Sequence, residues 1–175
     1  MNYFELFEIP VQFRVDITSL HKKFFELSRK YHPDYFINDK SDIQEEALQK
    51  SAELNRAFNA FKNPDETIKY VLQQKGLIEE EEKYQLPPDF LMEMMEINEQ
   101  LMDQDQLAIG SRQSVMGSLQ LAVDNLQKEI YEPVKEIVEH YQEGVNSEKE
   151  LLQVKEYYYK KKYLDRIRWQ LAGKA

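Results

Sequence analysis

The chain has 175 residues, 42% of them hydrophobic and 31% charged, which suits two small helical units better than one large core. Five glycines and six prolines are too few for the turns of a sheet protein, and the lack of cysteine excludes disulfides, thiolate metal sites and cysteine nucleophiles. The net charge of −9 is uneven, with 11 Lys/Arg against 12 Asp/Glu over residues 1–75 and 12 against 20 over 76–175, so the acidic second half argues against a nucleic-acid surface.

The opening MNYFELFEIP has neither the basic region nor the apolar core of a signal peptide and is too acidic for a transit peptide. No apolar run reaches the length of a membrane span, so a cytoplasmic protein without membrane contact is expected. Residues 3–9 predict a short apolar helix ended by Pro10. A longer helix follows Asp16 as N-cap, with Leu20, Phe24, Leu27 and Tyr31 on its inward face. Lys22 with Arg29, and Lys23 with Lys30, recur at seven-residue spacing and make its outer face basic.

Pro33 ends this helix, because its nitrogen has no hydrogen to donate and its ring disfavours helical geometry at His32. Ser41 with Gln44 resembles a capping box for the next helix, whose buried face is expected to hold Ile43, Ala47, Leu54, Phe58 and Phe61. Asn63-Pro64 breaks the chain, and ETIKYVLQQ predicts a short helix that Gly76 terminates. LIEEEEKYQLPP, residues 77–88, has the look of a connection, since four successive glutamates repel one another and the double proline blocks a helix.

Three long helices are predicted beyond it, at about 89–107, 112–142 and 147–172, with breaks at Gly110 and Gly144 and a capping box at Ser147 and Glu150. Pro133 should kink the middle helix, because apolar spacing persists through Leu126, Ile130, Val134, Ile137 and Tyr141. In the first of the three, Phe90, Met94, Ile97 and Leu101 form a core stripe. Leu91, Met95 and Met102 lie roughly 100° round from it, with Met92 farther on and Glu96, Glu99 and Asp103 alongside. Such an arc suits docking of a second protein on adaptable methionines, but a helix touching two neighbours in a bundle produces the same pattern.

The sharpest motif is His32-Pro33-Asp34, which closes an amphipathic helix with a basic face before a second helix of complementary period. The two helices can pack as an antiparallel hairpin with the tripeptide at its tip, where an ionised Asp34 would accept two hydrogen bonds from one arginine of a partner. Read alone, the tripeptide is equally a helix stop with an incidental acid. No second histidine, metal set or nucleophile accompanies it, and His21, His32 and His140 lack metal-ligand spacing. No catalytic residue, metal or cofactor is therefore expected.

Helix, His-Pro-Asp loop, helix and a short helix after Asn-Pro resemble a J-domain, the module that recruits DnaK-type chaperones. With MNYFELFEIP, FKNPDETIKYVLQQKG and DFLMEMMEINEQL, the chain resembles the HscB co-chaperones of iron–sulfur cluster assembly over nearly its whole length. Tyr35 departs from the lysine that more often follows the aspartate, and the lack of an N-terminal cysteine-rich extension suggests a bacterial member.

The resemblance implies an all-α, L-shaped protein: a J-domain over 1–76, a linker over 77–87 and a three-helix scaffold-binding domain over 88–175. It implies chaperone binding (HscA or DnaK) through His32, Pro33, Asp34, Lys22, Lys23, Arg29 and Lys30. It also implies that Leu91, Met92, Met95, Glu96, Glu99, Asp103 and Tyr163 hold an IscU-type iron–sulfur scaffold protein. Tyr163 sits in YYYKKKY, which is equally a tyrosine belt packing inward. The function implied is stimulation of the chaperone's ATPase and delivery of the scaffold for cluster transfer, by a monomer that is not itself an enzyme. The rival readings are a J-domain protein for another folding client and a non-catalytic helical adaptor.

Overall fold

The computed structural model describes residues 1–173, and these form helices and connecting turns with no strand among them. The chain divides into two compact units: Met1–Gly76 with Val138–Asn146, and Leu77–Ile137 with the described residues from Ser147 onward.

In the first unit, α1 (Tyr3–Leu6) is closed by reciprocal bonds, the Glu5 amide donating to Asn2 Oδ1 and the Asn2 amide to Glu5 Oε2, each 2.9 Å. It is shorter than the predicted 3–9 because Glu8 turns the chain at φ +55°. α2 (Ile17–Lys30) starts where Asp16 accepts from the Ser19 amide at 2.9 Å. A 3₁₀ turn (Pro33–Phe36) leads to α3 (Ser41–Phe61), and α4 (Pro64–Gln74) is capped by Asn63, whose Oδ1 accepts from Asp65 and Glu66. Gly76, at φ +70°, takes the left-handed backbone that ends α4.

α2 and α3 pack as a hairpin with Leu20, Leu27, Ala47, Leu54 and Ala57 buried between them, and Phe24 stacked on Phe58 at 4.2 Å. Phe4, Phe7 and Phe61 close the far end, where Phe4 and Phe61 lie 4.8 Å apart. Each fully buried side chain of this size contributes about 2 kcal/mol. Two details differ from expectation. Ser41 is the first helical residue rather than the cap and Lys40 supplies no side-chain cap, while Gln44 bonds backward into the preceding loop. Ile43 lies on the solvent side of α3, 39% exposed.

The second unit is built on α5 (Pro88–Asp103), α6 (Ile109–Tyr131) and α8 (Glu148–Leu171). Phe90, Met94, Leu119, Val123, Val154, Leu164 and Ile167 are among its buried residues. α5 stops before 107 in a 3₁₀ turn at Gln104–Gln106. The break expected at Gly110 falls earlier, because the Arg112 guanidinium donates to the Gln104, Asp105 and Leu107 carbonyls and lets α6 begin at Ile109. Pro133 lies in a 3₁₀ turn (Glu132–Val134) that deflects the chain into α7 (Lys135–His140). α8 opens with the expected capping box of Ser147 and Glu150.

The boundaries expected at 77–87 and 88–175 need correction. Residues 77–87 pack within the second unit: Ile78 is buried, Tyr84 stacks on Tyr159 at 4.6 Å, and Glu82 accepts from Lys155 Nζ at 2.7 Å and from the Tyr159 hydroxyl at 2.9 Å. Residues 138–146 return to the first unit. There Tyr141 sits edge-on to Phe13 at 5.0 Å, Arg14 pairs with Glu139 at 3.2 Å, and Lys75 pairs with Glu143.

Candidate functional site

Two surfaces, one in each unit, present the residues singled out in the sequence. In the first unit the Tyr31 amide donates to the Leu27 carbonyl and completes α2, after which His32 adopts extended backbone at φ −64° and ψ 129°. The imidazole folds over the turn, with Nδ1 accepting from the Asp34 amide at 3.2 Å, and the Tyr35 amide donates to the His32 carbonyl at 3.1 Å. From the other side the Gln44 amide group donates to the carbonyls of Ile37 at 2.8 Å and Asp39 at 2.9 Å, fastening the loop to α3. The Asp34 carboxylate is left 78% exposed, with one oxygen 3.6 Å from His32 Nδ1. The loop is fixed and its acid is displayed, the condition for accepting a bidentate donor from outside.

The four cations on α2 are not equivalent. Lys22 and Arg29 face solvent, and Lys30 lies 5.2 Å over the Tyr31 ring, which Lys50 approaches at 4.9 Å. Lys23 turns aside to Glu8 at 2.8 Å and Glu26 at 3.8 Å, and its bond to Glu8 holds its ammonium above the usual lysine range. Between Lys22 and Arg29 stands Phe25, 62% exposed, which the sequence reading passed over. Its signal was present: an aromatic three residues after one cation and four before the next, on the polar face of the helix.

In the second unit α5 buries Phe90, Met94 and Ile97 and turns its other arc outward. Met92 and Met95 are each 61% exposed, Met102 is 77% exposed, and Glu96, Glu99 and Asp103 flank them in solvent. Neighbouring helices therefore do not cover this arc, and the packing explanation for it fails. Leu91 is half-buried at its edge. Tyr163 is also half-buried, with its ring edge-on to Phe90 at 6.4 Å, while Tyr157 and Tyr158 are buried. The tyrosine run thus divides, two rings facing inward and Tyr159 and Tyr163 reaching a groove of about 480 Å³ beside Leu91. Among the described residues no group of acidic or histidine side chains is arranged to hold a metal, and no helix is long and apolar enough to cross a membrane.

Residues 86–172 match the family model described as the HSCB C-terminal oligomerisation domain. The Co-chaperone protein HscB homolog of Photobacterium profundum is 40% identical over 104 residues, 59% of this chain and 61% of the relative. The homolog of Vibrio vulnificus is 42% identical over 102 residues, 58% of this chain and 60% of the relative. The matched stretch thus spans about three fifths of these curated relatives' length. Among solved structures, the chaperone HscB from Vibrio cholerae superposes with a TM-score of 0.73 at 26% identity, covering 99% of this chain and 96% of that one. Human co-chaperone protein HscB gives 0.77 at 26% identity, covering 99% and 82%.

Proposed function

We propose that this chain, similar to HscB co-chaperones over its second unit and in its whole fold, is itself an HscB-type, two-headed co-chaperone of iron–sulfur cluster assembly. Its first unit docks on a DnaK-type chaperone, and its second holds an IscU-type scaffold protein. The observation that carries this reading is the exposed Asp34 carboxylate on a loop closed by His32 on one side and Gln44 on the other.

An arginine of the chaperone meets Asp34 in two parallel charge-assisted hydrogen bonds. Lys22, Arg29 and Lys30 steer the approach toward an acidic patch, and Phe25 between the first two adds apolar contact. Binding stimulates ATP hydrolysis only if the hydrolysis-competent state of the chaperone is bound more tightly than its resting state, since equal affinity shifts no equilibrium. The chain supplies this differential contact and the cargo, and the chemistry of hydrolysis stays with the chaperone. Met92 and Met95, with Leu91 at their edge, form the apolar centre of the scaffold contact, rimmed by Glu96, Glu99 and Asp103.

The test is single-turnover ATP hydrolysis by a DnaK-type chaperone with this protein, with and without scaffold. Wild type should stimulate, and scaffold should raise the stimulation further. Asp34→Asn should abolish stimulation yet retain scaffold binding, while Met92→Ala with Met95→Ala should lose scaffold binding and keep basal stimulation. Stimulation indifferent to Asp34 would overturn the chaperone half of the reading, and stimulation indifferent to scaffold would point to another client.

A further inference from the structure

In the second unit, α8 brings Tyr159, Lys162, Tyr163 and Arg166 to one face, at the spacing of neighbouring turns. The segment 82–86 runs beside that face, fixed by the Tyr84–Tyr159 stack, and encloses the groove of about 480 Å³. Its apolar side is Leu91 with the tyrosine rings, and its rim carries Lys83, Lys162 and Arg166, all three exposed. The groove's own carboxylate, Glu82, is already committed to Lys155 at 2.7 Å and to the Tyr159 hydroxyl at 2.9 Å. It does not neutralise the rim. A cationic, aromatic-walled groove thus sits in the more acidic half of the chain, sharing Leu91 with an arc of α5 that is rimmed by acids.

We infer that this groove is a second half of the scaffold contact and takes a segment of the scaffold protein in which a carboxylate stands next to an apolar side chain. The inference rests on the scaffold reading above and adds to it the partner's chemistry and orientation. The apolar side chain enters against Leu91 and Tyr163, and the carboxylate meets Lys162 and the planar fork of Arg166. With acids along the α5 arc and cations along the groove, a partner of complementary polarity fits one way round, and its reversal brings like charges together.

The experiment is calorimetric titration of the full chain with cluster-free IscU-type scaffold at low and at high salt. Lys162→Gln with Arg166→Gln is compared with Lys128→Gln and Lys135→Gln, which removes the same charge from exposed positions elsewhere. The groove variant should bind about tenfold more weakly at low salt, the difference shrinking as salt rises, with unchanged far-ultraviolet circular dichroism. The control variant should bind as wild type does. Equal affinity of the groove variant and wild type, or equal loss in both variants, would overturn the groove while leaving the scaffold reading intact. Absence of binding by wild type would overturn the scaffold reading and this inference with it.

Discussion

Thr67 carries a polar side chain with no solvent exposure, in the corner between α3 and α4. Its hydroxyl lies 3.0 Å from the Ala60 carbonyl, 3.3 Å from that of Phe61 and 3.0 Å from that of Asn63, so one proton always finds an acceptor. Thr67→Val keeps the shape and removes the donor, and should lower stability by about 1 kcal/mol, read as a fall in the urea midpoint at constant slope. Glu82 makes a pH-dependent contribution instead. The hydrogen bond from Lys155 is the largest influence holding its carboxyl below the usual glutamate range, and the Tyr159 hydroxyl adds to it. A carboxyl with a lower pKa folded than unfolded stabilises the fold above its unfolded pKa, about 4.3, and that contribution is lost as pH falls through the folded value. Melting curves taken down through roughly pH 5 to 3 should therefore fall less steeply for Glu82→Gln than for wild type. At this scale Asp34 was legible because its display depends on a proline beside it. Glu82 was hidden, since its partner Lys155 is 73 residues away and a run of glutamates reads as a solvated linker.

Helix ends show which local rules suffice. Asp16 and Ser147 cap their helices as expected, and Asn63, read only as a chain break, caps α4, because a cap needs only the next two or three amides. Gln44 follows Ser41 at capping-box spacing, yet its amide group satisfies the Ile37 and Asp39 carbonyls, which the folded loop brings within its reach. The two capping candidates therefore predict different outcomes. Ser147→Ala should cost about 1 kcal/mol in the second unit. Ser41→Ala should be nearly neutral, while Gln44→Ala should release the loop, raising amide exchange at residues 35–39 and, on the proposed function, weakening chaperone stimulation with α3 otherwise intact. If Gln44→Ala leaves both exchange and stimulation unchanged, His32 alone fixes the loop. The exposed arc of α5 was legible as a periodicity but not as a surface. Met94 and Met95 are adjacent methionines, one fully buried and the other 61% exposed, and only the placement of the neighbouring helices separates them.

Across the whole molecule, the order of the chain and the composition of the units do not coincide. Residues 138–146 close α7 and the turn after it, and the apolar spacing of α6 runs on past Pro133 through Ile137 to Tyr141, so periodicity assigns them to the bundle. In the folded chain they complete the first unit instead. Tyr141, 8% exposed, covers the fully buried Phe13, and Arg14 with Glu139 and Lys75 with Glu143 flank the contact. No local rule reveals a pair such as Arg14 and Glu139, separated by 125 residues. Residues 1–76 cut away by themselves should therefore be a weakened J-domain, with Phe13 uncovered and Lys75 without Glu143. In the full chain, Tyr141→Ala should destabilise the first unit by roughly 3 kcal/mol, the cost of emptying a buried aromatic site. Amide exchange read by mass spectrometry should localise the effect, with protection lost over residues 11–30 and retained along α8. Loss along α8 with α2 unaffected would instead return Tyr141 to the bundle.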